Sequence, residues 1–241
     1  MPHFEAWKWA LGIVSAFMIG IAKTGAPGAS TMVIPFMVMI VGDARLSAAW
    51  TQPILSSGDL FGVYYWRKHA DARKLLSLIP WVLVGIVAAF FALDLNERII
   101  RIMVAVIVLM MLIVQAWRRW GHTSEVHGSP LFYGVSAGFA TTIANAAAPV
   151  MNMYLLSRRL PKEQFLATGA WFFFVANLLK VPVYIWYGLY SRESLLFAAA
   201  MFPAVMLGGL AGKWFANRVS QRIFDLLVVV ITAISALLLF R

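Results

Sequence analysis

Long apolar runs separated by short polar turns make up nearly all of this chain. Trp7 to Ala22 is apolar, stops at Thr24, Gly25, Ala26, Pro27 and Gly28, and resumes from Ser30 to Val41. Leu46 to Trp66 is a full-length run with Thr51, Gln52, Pro53 and Asp59 inside it, and Leu75 to Leu93 follows the charged loop Arg67 to Lys74. Ile99 to Trp117 comes after the turn Asp94, Leu95, Asn96. The rest of the chain has the same plan: Leu131 to Ala144, a break at Asn145 to Pro149, a short run to Leu156, then runs near Phe165 to Tyr187, Leu195 to Ala211 and Ile223 to Phe240. A helix spanning a hydrocarbon core of ~30 Å needs about 20 apolar residues, and the runs lack the two-residue alternation of a membrane barrel. The pattern predicts an all-α polytopic membrane protein.

The plan repeats because the sequence does. IAKTGAP (Ile21 to Pro27) returns as IANAAAP (Ile143 to Pro149), and NERIIRIMVAVI (Asn96 to Ile107) returns as SQRIFDLLVVVI (Ser220 to Ile231). Pro80 falls over Pro203 and Gly85 over Gly208, at spacings of 122 to 124 residues throughout. Thr51 meets Thr168 across a gap of about five residues. Residues 1–120 and 130–241 therefore read as two transmembrane repeats joined by the polar linker 121–129. Each opens on a broken hydrophobic segment, and unwound backbone is tolerated at membrane depth only where it lines a cavity, which points to a binding site at the breaks.

The first broken segment, some 35 residues in all, is too long for one crossing, so each is expected to form a re-entrant helical hairpin. Loop charge favours the same reading. With hairpins, one side of the membrane collects twelve Lys and Arg, among them Arg67, Lys68, Arg73, Lys74, Arg158, Arg159 and Lys162, against six on the other. The asymmetry follows the positive-inside rule. The expectation is two inverted repeats, each a hairpin plus three spans, about six full spans and two hairpins in all, with both termini on the less basic side.

Composition agrees with a membrane protein. Of 241 residues 62% are hydrophobic and 12% charged, about half the charged share of soluble domains. The net charge of +10 does not indicate nucleic acid, because Lys and Arg lie in short loops where they meet anionic lipid headgroups of the bilayer. No cysteine is present, which excludes disulfides, thiolate metal ligands and cysteine nucleophiles. The N-terminal run has the outline of a signal peptide, but cleavage would remove the partner of the second break, so it is expected to be retained.

Three charges fall inside apolar runs: Lys23, Asp59 and Lys180. A charge at the bilayer centre costs roughly 2.5–3.5 kcal/mol on insertion scales, so such residues mark pathways and sites. Helix N-termini at the two breaks, near Gly28 to Thr31 and Val150 to Asn152, carry partial positive charge and free NH donors. Together with Lys23 they suit a small anion, and Thr24, Gly25, Gly28, Ser30, Thr31, Thr51, Gln52, Asn145, Asn152 and Thr168 are the candidates to line its site. Asp59, Asn177 and Lys180 are candidates for charge compensation or for coupling to a proton or sodium. His3, His69, His122 and His127 form no metal-ligand spacing on a span, no nucleophile, phosphate-loop or metalloprotease motif occurs, and no cofactor is expected. The aromatic run Trp171 to Phe174 reads as lipid-facing or core bulk.

The small-residue break followed by proline in GAPGASTMVIP (Gly25 to Pro35), the helix starts SAAWT (Ser47 to Thr51) and FLATG (Phe165 to Gly169), and the closing helices beginning NERIIRIM and SQRIFDLL resemble the sulfite exporter TauE/SafE family of membrane anion transporters. The resemblance covers nearly the whole length, with one departure: the second break has no glycine. It implies a non-enzymatic secondary transporter of sulfite, an organosulfonate or a related organic anion at the cell membrane, such as a bacterial inner membrane. A channel, a non-transporting subunit, a membrane enzyme and a homodimeric assembly stay open at this stage.

Overall fold

The computed structural model describes residues 5–93, 106 and 129–238. The predicted span Ile99 to Trp117, apart from Val106, and linker residues 121–128 lie outside the described residues. Among the described residues every regular element is helical: α1 (Ala6–Thr24), α2 (Val33–Val41), α3 (Ala44–Trp66), α4 (Ala72–Ala92), α5 (Pro130–Ala144), α6 (Ala147–Ser157), α7 (Lys162–Trp186), α8 (Arg192–Arg218) and α9 (Gln221–Leu238), with short 3-10 turns at Ala29–Met32 and Arg67–His69.

Four of these, α1, α4, α7 and α8, are long and apolar enough to cross a membrane. They present large side chains outward, with Trp186 78% and Phe91 74% exposed, the surface expected of a protein solvated by lipid. The α1 helix is longer than the apolar run suggests. At 19 residues it spans about 28 Å, so the first arm of the expected hairpin is itself of crossing length, whereas α2 has 9 residues. The α3 helix has 23 residues, but one of its faces carries Gln52 and Asp59, both buried.

Each break is built from local chemistry. After α1 the chain turns through Gly28 at φ 98°, a left-handed conformation that glycine adopts without a Cβ penalty. The second break is shorter than the sequence suggests, because α6 starts at Ala147 and takes Pro149 into its first turn, where a missing NH costs nothing. Asn145 caps α5 in the left-handed region at φ 53°. Asparagine is the common substitute for glycine there, which accounts for a break without glycine.

Two tight helix pairs hold the bundle. A Cβ on Gly20 would stand 2.2 Å from the Val205 carbonyl oxygen and one on Gly208 2.1 Å from that of Phe17, so α1 and α8 touch backbone to backbone, and they run parallel, with Gly12 beside Phe197 towards one end and Gly25 beside Gly212 at the other. In the same way a Cβ on Gly138 would stand 2.2 Å from the Val82 oxygen and one on Gly85 2.2 Å from the Val135 oxygen, joining α5 to α4. Small residues at such contacts are what lets membrane helices approach closely. Between these pairs α3 and α7 run antiparallel, with Gln52 beside Asn177 at one end and Gly62 beside Ala170 at the other. Separate apolar cores surround the first break (Ile19, Met37, Ile54, Phe197, Val205) and the second (Val82, Tyr133, Val150, Tyr154, Phe172).

Candidate functional site: a buried lysine–aspartate pair between the breaks

Gly58 and Gly62 lie one turn apart on α3 and leave a groove for α1. A Cβ on Gly58 would meet Lys23 Cγ at 3.1 Å, and one on Gly62 would meet the Lys23 carbonyl oxygen at 2.8 Å. Lys23 lies along this groove, and its Nζ reaches Asp59 Oδ1 at 2.6 Å. Both side chains are buried, Asp59 at 0% exposure. The second carboxylate oxygen accepts from Asn177 Nδ2 at 2.5 Å. The Phe173 ring covers the ammonium, with its centroid 4.3 Å from Lys23 Nζ, a desolvated cation–π contact. Burial of an ion pair is tolerated only when both charges are so enclosed by partners.

Lys23 also lines a cavity of about 20 Å³, together with Pro27 of the first break, Asn152 and Leu155 of α6, and Leu166, Gly169 and Phe173 of α7. That is room for about one water molecule. Lys23 and Asn152, from opposite halves of the chain, therefore line one small space.

A second polar cluster lies further along α7. Lys180 Nζ donates to Asn145 Oδ1 and, at 3.3 Å each, to the carbonyl and hydroxyl of Thr141, while Asn145 Nδ2 donates to the Ala48 carbonyl at 2.8 Å. Lys180 interacts electrostatically with Asp59 and Lys23, so the two clusters act on each other. Gln52 links them outward: its Nε2 donates to the Asn177 carbonyl at 3.2 Å, and its Oε1 accepts from Tyr190 OH at 2.7 Å. Burial pushes the Tyr190 phenol up to about 12, so it remains a donor at any physiological pH. On the opposite face Thr168 Oγ1 accepts from the Asp71 backbone NH at 3.1 Å. One tie at each face thus joins an inner helix to the loop ahead of a long helix from the other half.

The remaining sequence candidates are distributed more loosely. Thr24 donates to the Gly209 carbonyl at 2.7 Å and binds α8, and its own carbonyl accepts from Trp66 Nε1 at 3.1 Å. Gly25 packs against Gly212, where a Cβ would stand 2.0 Å from the carbonyl oxygen. Gly28 supplies the turn. Thr51 bonds the Ser47 carbonyl of its own helix at 2.6 Å. Ser30 is half-buried, while Thr31 is buried and its hydroxyl finds no partner among the described residues. At the first break the backbone NH groups of Ala29 and Thr31 are satisfied within the turn, by Ala26 and Gly28.

Phe173, Thr141 and Tyr190 were not legible as site residues. Phe173 is hidden in an aromatic run, Thr141 on an ordinary helix face, and Tyr190 in a loop; only their neighbours in space distinguish them. Among the described residues no three His, Cys, Asp or Glu gather to hold a metal.

A helical bundle with several helices long and apolar enough to cross a membrane, large apolar side chains on its surface and a buried ion pair is that of a multi-pass membrane protein. The chain belongs to the sulfite exporter TauE/SafE family, whose sequence profile matches residues 11–239. No curated protein and no solved structure matches it. The chain is accordingly a membrane transport protein and not an enzyme.

Proposed function

We propose that this protein is a secondary transporter that carries sulfite, an organosulfonate or a related small organic anion across the cell membrane by alternating access. The observation that carries the proposal is Lys23, a buried, ion-paired lysine that lines a small cavity to which both halves of the chain contribute. In this reading the anion replaces Asp59 as the partner of Lys23, Asn152 supplies a hydrogen bond, and Asp59 with Asn177 and Lys180 compensates the charge or takes a coupled proton or sodium. The cavity, at about 20 Å³, is too small for an oxyanion until the helices part.

Many alternating-access transporters are built from two equivalent halves, and several features support inverted repeats at residues 1–120 and 130–241. The α1–α8 and α4–α5 contacts use corresponding positions: Phe17 and Phe139, Val82 and Val205, Gly85 and Gly208. Two corresponding helices, α3 and α7, pack antiparallel, as a two-fold axis in the membrane plane requires and one along the membrane normal forbids. The Asp71–Thr168 and Tyr190–Gln52 ties then act as gates on opposite faces.

The test is exchange of radiolabelled sulfite or isethionate in proteoliposomes. Wild type is expected to exchange one of them saturably, and Lys23→Gln combined with Asp59→Asn, which removes both charges together, to lose the exchange. An unchanged rate in the double variant would refute the assignment of Lys23, and non-saturating currents far above carrier turnover would mark a channel.

A further inference from the structure

The donors around Asp59 decide which ion accompanies the anion. Oδ1 faces the Lys23 ammonium at 2.6 Å and Oδ2 faces the Asn177 amide NH₂ at 2.5 Å. An ammonium has three donors and no acceptor. A hard cation needs several oxygen ligands converging on it, whereas here both carboxylate oxygens are turned towards NH groups. Asp59 is the only carboxylate buried in the described part of the bundle, and no cluster of acidic side chains surrounds it. A proton requires no such cage.

The geometry also couples that proton to the anion. Lys23 has one ammonium, which pairs with Asp59, and the same residue lines the cavity together with Pro27 and Asn152. An anion entering the cavity competes with the Asp59 carboxylate for the same charge. Once displaced, a buried carboxylate without its ammonium is too costly to keep ionised, and it is relieved by taking a proton on one oxygen. Asn177 serves either state, because an amide presents NH₂ to a carboxylate or, after a half-turn, its oxygen to a carboxylic acid. The charged groups acting on Asp59 are Lys23 from α1 and Lys180 from α7; Lys180 is held by Thr141 and Asn145 and keeps its partners when Lys23 changes its own.

We infer that Asp59 carries a proton in the same direction as the anion, so that the protein is an anion–proton cotransporter with no sodium site at this position. The inference rests on the transport reading above. Binding linkage is reciprocal: proton uptake by Asp59 frees Lys23 for the anion, and the anion favours proton uptake to the same degree. One proton per monovalent anion sets an accumulation of about tenfold per pH unit of imposed gradient.

The experiment uses the full chain in proteoliposomes with a trapped pH dye, with isethionate as a sulfonate of fixed charge and sulfite as second probe. Label exchange at equal pH first shows that wild type moves a probe; no exchange of either overturns the transport reading itself. Given exchange, an inward anion gradient is expected to acidify the lumen, and an outside-acid gradient to drive accumulation that an equal sodium gradient does not. Exchange without acidification, or accumulation driven by sodium, overturns the coupling and leaves transport standing. Asp59→Asn, a mimic of the protonated acid, is expected to lose accumulation and to flatten the pH dependence of exchange. Retained pH-driven accumulation in Asp59→Asn sinks the assignment. The wild-type dye signal decides the matter even if that variant fails to fold.

Discussion

Gly208 and Gly209 are neighbours on α8, yet alanine has opposite consequences at the two. At position 208 the new Cβ would lie 2.1 Å from the carbonyl oxygen and 2.9 Å from the carbonyl carbon of Phe17, against about 3.3–3.6 Å for a comfortable carbon–oxygen contact. Backbone stands on both sides, so no rotamer change relieves the clash, and α1 must move away from α8 by about 1 Å. Overpacking of this kind costs about 1–3 kcal/mol, and the rigid obstacle puts Gly208→Ala at the upper end. At position 209 the nearest atoms are side-chain carbons of Phe61 and Thr24 at 3.8 Å, ordinary contacts, while alanine gains about 0.8–1 kcal/mol of helix propensity over glycine. The pair should differ by about 3 kcal/mol, or about 6–12 °C in apparent melting midpoint for a chain of this size. Tryptophan fluorescence melts of the two variants and wild type, in one detergent at one scan rate, measure the difference. A Gly208→Ala midpoint equal to or above that of Gly209→Ala would refute the close approach of α1 and α8.

Three further outcomes follow from the site and its surroundings. Lys23→Met leaves a buried carboxylate without its partner and should cost about 3–5 kcal/mol, most of it recovered in Lys23→Met with Asp59→Asn; equal melting of the single and double variants would show that the two residues are not coupled. Asn145 should rank wild type above Asn145→Gly above Asn145→Val in thermal stability, because glycine keeps the left-handed turn but loses the bonds to Ala48 and Lys180, and valine adds backbone strain of about 1–2 kcal/mol; valine equal to glycine would contradict it. Asp71 caps α4, and its hydrogen bonds to the Lys74 side chain and backbone hold its carboxyl below the ordinary 3.8. The folded-state value is depressed, so the carboxylate's contribution is complete above the unfolded value and disappears as pH falls through the folded one. The melting gap between wild type and Asp71→Asn should therefore be widest near neutral pH and close below about pH 4; a gap that widens in acid would contradict the cap.

Much of the architecture could be read from the chain because a bilayer imposes its constraint residue by residue. Every spanning segment must be apolar and must satisfy its own backbone, so run lengths and their interruptions carry helix positions directly. The recurrence of IAKTGAP as IANAAAP, with glycines and prolines in register, is a sequence pattern visible without any contact being known. Lys23, Asp59 and Lys180 stand out for the same reason, since a charge is conspicuous where charge is expensive.

What the tertiary structure alone decided is which of these charges meet. No spacing in sequence implies that Lys23 pairs with Asp59 while Lys180 turns to Asn145 and Thr141; that follows from the groove left by Gly58 and Gly62 and from the antiparallel crossing of α3 with α7. Nor does the sequence show that Gly25 packs on Gly212, that Thr24 ties to Gly209 or that Thr168 ties to Asp71, because small and hydroxylated residues serve close packing and helix ties as readily as substrate binding. Polarity within an apolar run marks where a site can be, and only packing between distant helices determines which polar groups share one space.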